Sequence, residues 1–550
     1  MIIRTKKPQR TLGLDEPIRH ESHKTPVTRR DFIAQGFKTG PAIIAAPAAL
    51  AFLMQARRAG AMSPDLEQLL LPESSPGGLC NVQAGAGKIP FICFDLAGGA
   101  NLSQSEILIG VNGSPSNFLS TQGYGVVGLP GNMTPGSANP ANTVSGNFVN
   151  VEFGAAWHSD GAILRGMQQS TQVATRGNVN GYGIAARSEN DTGNNPHNPM
   201  YGINRVGADG QLLTLIGSQN TDSGGNSMAP IAMVNPAARP TKVDRASDVT
   251  GLVDTGELGT MFTNQDDAIA VLESMTRLSH AKANLAQTQL AGQADADIKK
   301  LVRCGYLKST YLADRFRTPS ALNPSLDPHI VLQTNQPGGL PPPIFTQAEY
   351  NADGEFRKTA AIMKMVINGY AGAGTVTMGG YDYHGQGRNT GETRNFRAGR
   401  CIGACLEYAA RMQKPLMIYV FSDGALSAAG AVNNTADGRG KLDWASDNQS
   451  TAASIVLVYK PGATRPAMIN PNRLQIGSFS ASGAVVTTSS PAANAVNLLV
   501  ETVILNYMAL HGEAGNFATL FPTHGLGASA ARDNLTMMAP IVNGTVTNPI

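Results

Sequence analysis

Apolar and polar positions in the C-terminal part of the chain switch repeatedly between a helical period and short continuous apolar runs. The pattern predicts a helix over 358–370, a strand over 374–378, a helix over 397–411, a strand over 416–421, a strand over 451–459 and a closing helix over 492–510. Strands that are apolar throughout and alternate with helices point to a parallel sheet covered on both faces. Upstream, 88–96 is a short run of β-formers that ends in Gly98-Gly99-Ala100-Asn101, the form of a buried first strand closing in a tight glycine turn.

Between these parts the pattern thins. Residues 110–245 are dense in Gly, Asn, Ser and Pro, with a strand expected at 211–216 and a surface loop at 178–198. At 264 the helical period returns: Asn264 caps a helix with Asp266 and Asp267 in its first turn, and Ile269, Leu272, Met275 and Leu278 share a face. A second helix follows over 294–315, with a Pro-rich loop over 319–343. His280 lies in this helical layer and reads as a structural side chain.

The N-terminus carries a different signal. Thr28-Arg29-Arg30-Asp31-Phe32-Ile33 matches the twin-arginine consensus, and an Ala-rich apolar stretch over 40–54 follows, too short and too proline-broken for a spanning helix of about 20 residues. Arg57, Arg58 and the small-residue site Ala59-Gly60-Ala61 complete it. The expectation is a twin-arginine signal over 1–61, with Arg29, Arg30 and Phe32 read by the translocase, and a folded passenger delivered to the periplasm or beyond without a membrane anchor. Residues 62–550 are expected to form a single α/β domain with a helical insertion at about 255–345.

Composition narrows the class. With 42% hydrophobic and 15% charged residues, 61 Gly and 33 Pro, the chain suits a loop-rich globular protein. The net charge of +3 is small, and several of the positive residues belong to the signal, which removes the electrostatic case for nucleic acid. Cys80, Cys93, Cys304, Cys401 and Cys405 are too few for a disulfide framework, although an oxidising compartment permits one or two bonds. Cys401 and Cys405, four apart on a helix, read as small buried hydrophobes.

Open α/β sheets place their chemistry beyond the carboxyl ends of the strands. There this chain offers Asp95, Asp382 with His384, and Asp423, with Asp447 and His524 in loops and Asn101 and Ser103 after the first strand. Carboxylates and imidazole converging at one edge suit one or two divalent metal ions, with a water or Ser103 as nucleophile. The competing reading is that these Asp and Asn residues close turns and cap helices, since no spacing here is a known metal motif.

On four anchors the chain resembles a large family of twin-arginine-exported bacterial proteins related to the alkaline phosphatase and sulfatase superfamily: Gly98-Gly99-Ala100, Gly380-Tyr381-Asp382-Tyr383-His384, Phe421-Ser422-Asp423 and Ser446-Asp447-Asn448, within about 90–525. The resemblance implies a central sheet between helical layers and a metal-dependent hydrolase of phosphate or sulfate esters, with Asp95, Asp382, His384, Asp423 and Asp447 as metal ligands. Two positions depart from the family pattern: Asn101 stands where many relatives carry aspartate, and Asp447-Asn448 where they carry Asp-His. Asparagine brings no charge to a cation, which weakens a zinc site. Another histidine of the pattern is sought in 176–198, where His197 sits in a Pro-Asn context that reads as loop. The alternatives to an enzyme are a non-catalytic exported scaffold that binds an envelope partner or polymer, and a component of a secretion or surface-assembly system.

Overall fold

The computed structural model describes residues 62–544 apart from 72, 81–86, 138–145, 189–193, 255–261, 263, 317–318, 332–340 and 386. The residues expected to form an export signal, Arg29, Arg30 and Phe32 with Ala59-Gly60-Ala61, lie outside the described residues. The chain divides into two compact units, one joining residues up to 81 with 254–317 and the other joining 82–253 with 318–550.

In the smaller unit, helices Gln265–Leu285 and Gln293–Arg315 pair as a hairpin in which Thr276 Oγ1 lies 2.8 Å from Thr310 Oγ1. Asn264 caps the first by accepting from the Asp266 amide at 3.0 Å. The segment before the larger unit is held to this hairpin: Met62 and Leu66 pack on Leu307, the Ser63 amide donates to Glu273 Oε1 at 2.6 Å, and Arg277 pairs with Asp65 at 2.8 Å. A disulfide joins Cys80 to Cys304 across a sequence separation of 224 residues. Residues 255–345, expected as one helical insertion, divide between the two units. The helices fold with residues 62–80, while the region after 318 belongs to the larger unit, where Lys364 Nζ binds Asp327 Oδ2 at 2.7 Å.

Cys304→Ser, or reduction, is expected to lower the stability of the smaller unit by about 2–4 kcal/mol, because the unbridged chain regains loop entropy. Urea unfolding with and without reductant measures this; coincident curves would show that the hairpin holds its N-terminal segment unaided.

The larger unit is α/β. Its eight-stranded sheet runs in the order β12 (Gln475–Ile476), β4 (Val179–Ala185), β11 (Ala453–Tyr459), β8 (Leu416–Ser422), β1 (Phe91–Leu96), β7 (Ala371–Met378), β5 (Leu213–Gly217), β6 (Thr241–Lys242). β1 is parallel to both β7 and β8, and β5 to β7 and β6, whereas β11 runs antiparallel to β8 and β4. Two ribbons stand apart: β2 (Val149–Asn150) with β3 (Trp157–His158), and β9 (Leu426–Asn433) with β10 (Lys441–Asp447). On one face Phe91, Cys93, Tyr419, Phe421 and Val456 pack with Leu499, Val500 and Val503 of helix Val496–Leu510. On the other face Gly374 meets Ile362 and Val366 of helix Gly354–Ile367, beside the long helix Arg388–Arg411. Cys401 and Cys405 of that helix are buried thiols. No helix among the described residues is long and apolar enough to cross a membrane.

The elements differ from expectation in instructive places. The segment 178–198, expected as surface loop, contains the fully buried strand β4, whose Asn180, Gly181 and Gly183 hide a β pattern that pairing with β11 supplies. The strand expected over 451–459 is present as β11 but reversed relative to its neighbour β8, because the β9–β10 ribbon returns the chain to the carboxyl edge. The helix expected from 397 begins at Arg388, and that expected from 492 at Val496.

Candidate metal centre

The carboxyl ends of β1, β7 and β8 meet at a glycine turn. Gly98 has φ +121, and a Cβ there would fall 2.6 Å from the Asp382 amide, so the first turn and the loop after β7 are in backbone contact only because this residue is glycine. The Asn101 amide donates to Tyr383 Oη at 2.9 Å, Tyr383 donates onward to Asn395 Oδ1 at 3.2 Å, and Asn395 Nδ2 donates to Glu106 Oε1 at 2.9 Å. This chain of bonds fixes the loop just after Asp382.

Two carboxylates lie beneath the turn. Asp95, fully buried on β1, accepts at Oδ2 from the amides of Asn226 (2.7 Å) and Ser227 (2.9 Å) and at Oδ1 from Ser227 Oγ (3.3 Å). Burial raises its pKa, while these hydrogen bonds pull the other way. Asp423, also buried, accepts at Oδ1 from the Gly98 amide at 2.6 Å and at Oδ2 from Asn226 Nδ2 at 3.1 Å. Asn226 thus reaches both acids, its main chain on Asp95 and its side chain on Asp423.

Three further groups gather at the surface. Asp382, His384 and Asp447, all exposed, bring ligand atoms within 4.8 Å of one another. His384 Nδ1 pairs with Asp382 Oδ1 and lies 3.6 Å from Asp447 Oδ1. Two carboxylates and an imidazole open to solvent fit a divalent cation such as zinc or manganese, with coordination positions left for water or substrate.

The predicted site residues therefore separate. Asp382, His384 and Asp447 come together, while Asp95 and Asp423 are buried and engaged with the loop after β5. Ser103 is not brought to the cluster: it is fully buried and donates its hydroxyl to the Thr451 carbonyl at 2.7 Å. His524 packs edge-on against Phe517, with Nε2 3.2 Å from Arg532 Nη1. Asn448 caps a turn, accepting at Oδ1 from the Ser450 amide at 3.0 Å. His197, sought as a further ligand, is buried and stacks on Phe421 at 5.5 Å between ring centroids; neither nitrogen has a hydrogen-bond partner among the described residues, and burial pushes its pKa down to about 3.

Sequence reasoning missed Asn226, Ser227 and Asn195, whose Nδ2 donates to the Asp423 carbonyl at 2.6 Å. Each lies in a Gly/Ser/Asn-rich stretch where nothing in the spacing sets it apart. No protein-family model matches the chain, and no curated protein matches it.

Proposed function

We propose that this chain is an exported, alkaline phosphatase-like hydrolase of phosphate or sulfate esters that works with a single divalent cation held by Asp382, His384 and Asp447. The observation that carries the reading is the convergence of Asp382 and His384, in the loop after β7, with Asp447 at the end of β10, more than sixty positions on, within 4.8 Å. A cation there supplies Lewis acidity toward an ester oxygen and makes a neighbouring water easier to deprotonate. The Tyr383–Asn395–Glu106 chain positions the loop, and the amides of Asn226, Ser227 and Gly98 occupy acceptor positions of the inner carboxylates, so one open cation site rather than two is expected. Export to an oxidising compartment is supported by the Arg29-Arg30 signal and by the Cys80–Cys304 bond.

A non-catalytic exported scaffold is the second reading, favoured by Ser103, whose hydroxyl is engaged with Thr451 and provides no nucleophile. Elemental analysis of protein exported by its native route, paired with a screen of aryl phosphates and sulfates, separates the two. Near one equivalent of metal is expected, with at least 10-fold less metal and turnover in Asp447→Ala. Metal-free folded protein that turns over no ester would sink the hydrolase and leave the scaffold.

A further inference from the structure

A cleft of about 360 Å³ is lined by Asn389, Thr390, Thr393, Arg394 and Arg397, and Arg394 of this lining touches Gly379 and Gly380 of the loop that carries Asp382. These positions form one stripe along the first turns of helix Arg388–Arg411. The lining holds two guanidiniums, two hydroxyls and an amide, with no carboxylate among them.

The fold fixes where this positive cleft lies. Arg394 Nη1 donates to the Gly379 carbonyl at 2.7 Å. Gly380 has φ +83, and a Cβ on it would fall 1.7 Å from that same nitrogen, so the missing side chain is what lets the guanidinium settle against the loop. Gly380 and Asp382 are two residues apart, at most about 7 Å of backbone. Arg397 Nη1 is 3.8 Å from Asp353 Oδ2, while its Nε is buried without a hydrogen-bond partner among the described residues. Asn389 Oδ1 accepts from Thr435 Oγ1 at 2.8 Å, which leaves the amide nitrogen as the group it can offer. Planar guanidinium forks beside hydroxyl donors match a tetrahedral oxyanion.

We propose that this cleft is an oxyanion subsite for a second sulfate or phosphate group of a substrate whose ester reaches Asp382, His384 and Asp447. The substrate class is then a doubly anionic ester. That a substrate occupies the cleft rests on the hydrolase reading, whereas oxyanion binding there rests on the cleft alone.

The full chain, stripped of metal with chelator, is titrated with inorganic sulfate and with inorganic phosphate by calorimetry. Saturable binding is expected, weakened at least 10-fold by Arg397→Gln and by Thr393→Glu, and retained in Asp447→Ala. The exposed Thr393 provides a variant that leaves both arginines in place should Arg397→Gln fail to fold. Absence of saturation in the parent protein overturns the subsite. So does equal binding by both cleft variants, or loss in Asp447→Ala alone, which would put the anion at the cation centre. If the subsite binds and no ester is turned over, the hydrolase reading fails while the subsite stands. Where turnover is found, bis-sulfated and bis-phosphorylated substrates tell which oxyanion is preferred, and equal kcat/KM for singly and doubly anionic esters overturns the assigned substrate class.

Discussion

Asn226→Asp is expected to lower the stability of the larger unit by about 2 kcal/mol in chelator, because the exposed side chain at 226 would exchange a donor to the buried Asp423 for a like charge while keeping access to solvent. The asparagine side chain donates to Asp423 Oδ2 at 3.1 Å, while its own amide and that of Ser227 donate to Asp95. Aspartate at this position puts a carboxylate oxygen against a buried carboxylate and removes the side-chain donor. The same change completes a set of three acids, so manganese or calcium should restore much of the loss by binding the folded state alone. Asn226→Ser removes only the side-chain bond and is expected to cost about 1 kcal/mol with no metal response. Chemical unfolding of both variants, with chelator and with added cation, reads the contrast. If Asn226→Asp is as stable as the parent in chelator, the inner acids are not sealed by amides, and the assignment of one open cation site falls with that.

The parallel core was legible because its strands are apolar on both faces and need no partner to be recognised. Leu416–Ser422 and Phe91–Leu96 are buried at every position, and the acids at their ends lie at the edge where topology places them. β4 was not legible. Its Asn and Gly residues look like loop, and only the facing strand β11 turns them into a buried pair. The site split along a similar line. Asp382 and His384 share one loop, so their meeting is local, but Asp447 joins them only because the β9–β10 ribbon folds back over the edge. The roles of Asn226 and Ser103 depend on which atoms they face, and spacing carries no trace of that. Cys80 and Cys304 make the same point: their pairing requires the hairpin to bring residues 224 positions apart within 5.4 Å between Cα atoms.

Acidification from pH 8 to pH 5 is expected to destabilise the larger unit, and three buried histidines set the sign. His158 donates from Nε2 to the Met133 carbonyl at 2.9 Å while Nδ1 accepts from the Asp160 amide at 3.3 Å. His511 accepts at Nε2 from the Ile89 amide at 2.9 Å and donates from Nδ1 to the Tyr507 carbonyl at 2.8 Å. Both arrangements require the neutral ring, and His197 has no partner for either nitrogen among the described residues. Burial accordingly pushes His158 and His511 down to about 4 and His197 to about 3. A histidine whose folded pKa is depressed gives stability that is present above its unfolded pKa of about 6.5 and is lost as pH falls, by about 2 kcal/mol each at pH 5. Glu106 opposes them. Burial raises it to about 7, so its contribution is full below its unfolded value and lost as pH rises through 7, and acidification returns about 2–3 kcal/mol. Asp95, raised by burial as well, adds to that opposing contribution, and three histidines against two carboxyls leave a net loss of stability between pH 8 and pH 5. His197→Leu keeps roughly the volume and removes one titrating group. Whatever offset the substitution brings at pH 8, the difference in unfolding free energy between pH 8 and pH 5 should shrink by about 2 kcal/mol. Urea unfolding of both proteins at the two pH values measures it. An unchanged difference would mean that His197 takes up its proton in the folded state, which the apolar contact with Phe421 gives it no means to stabilise.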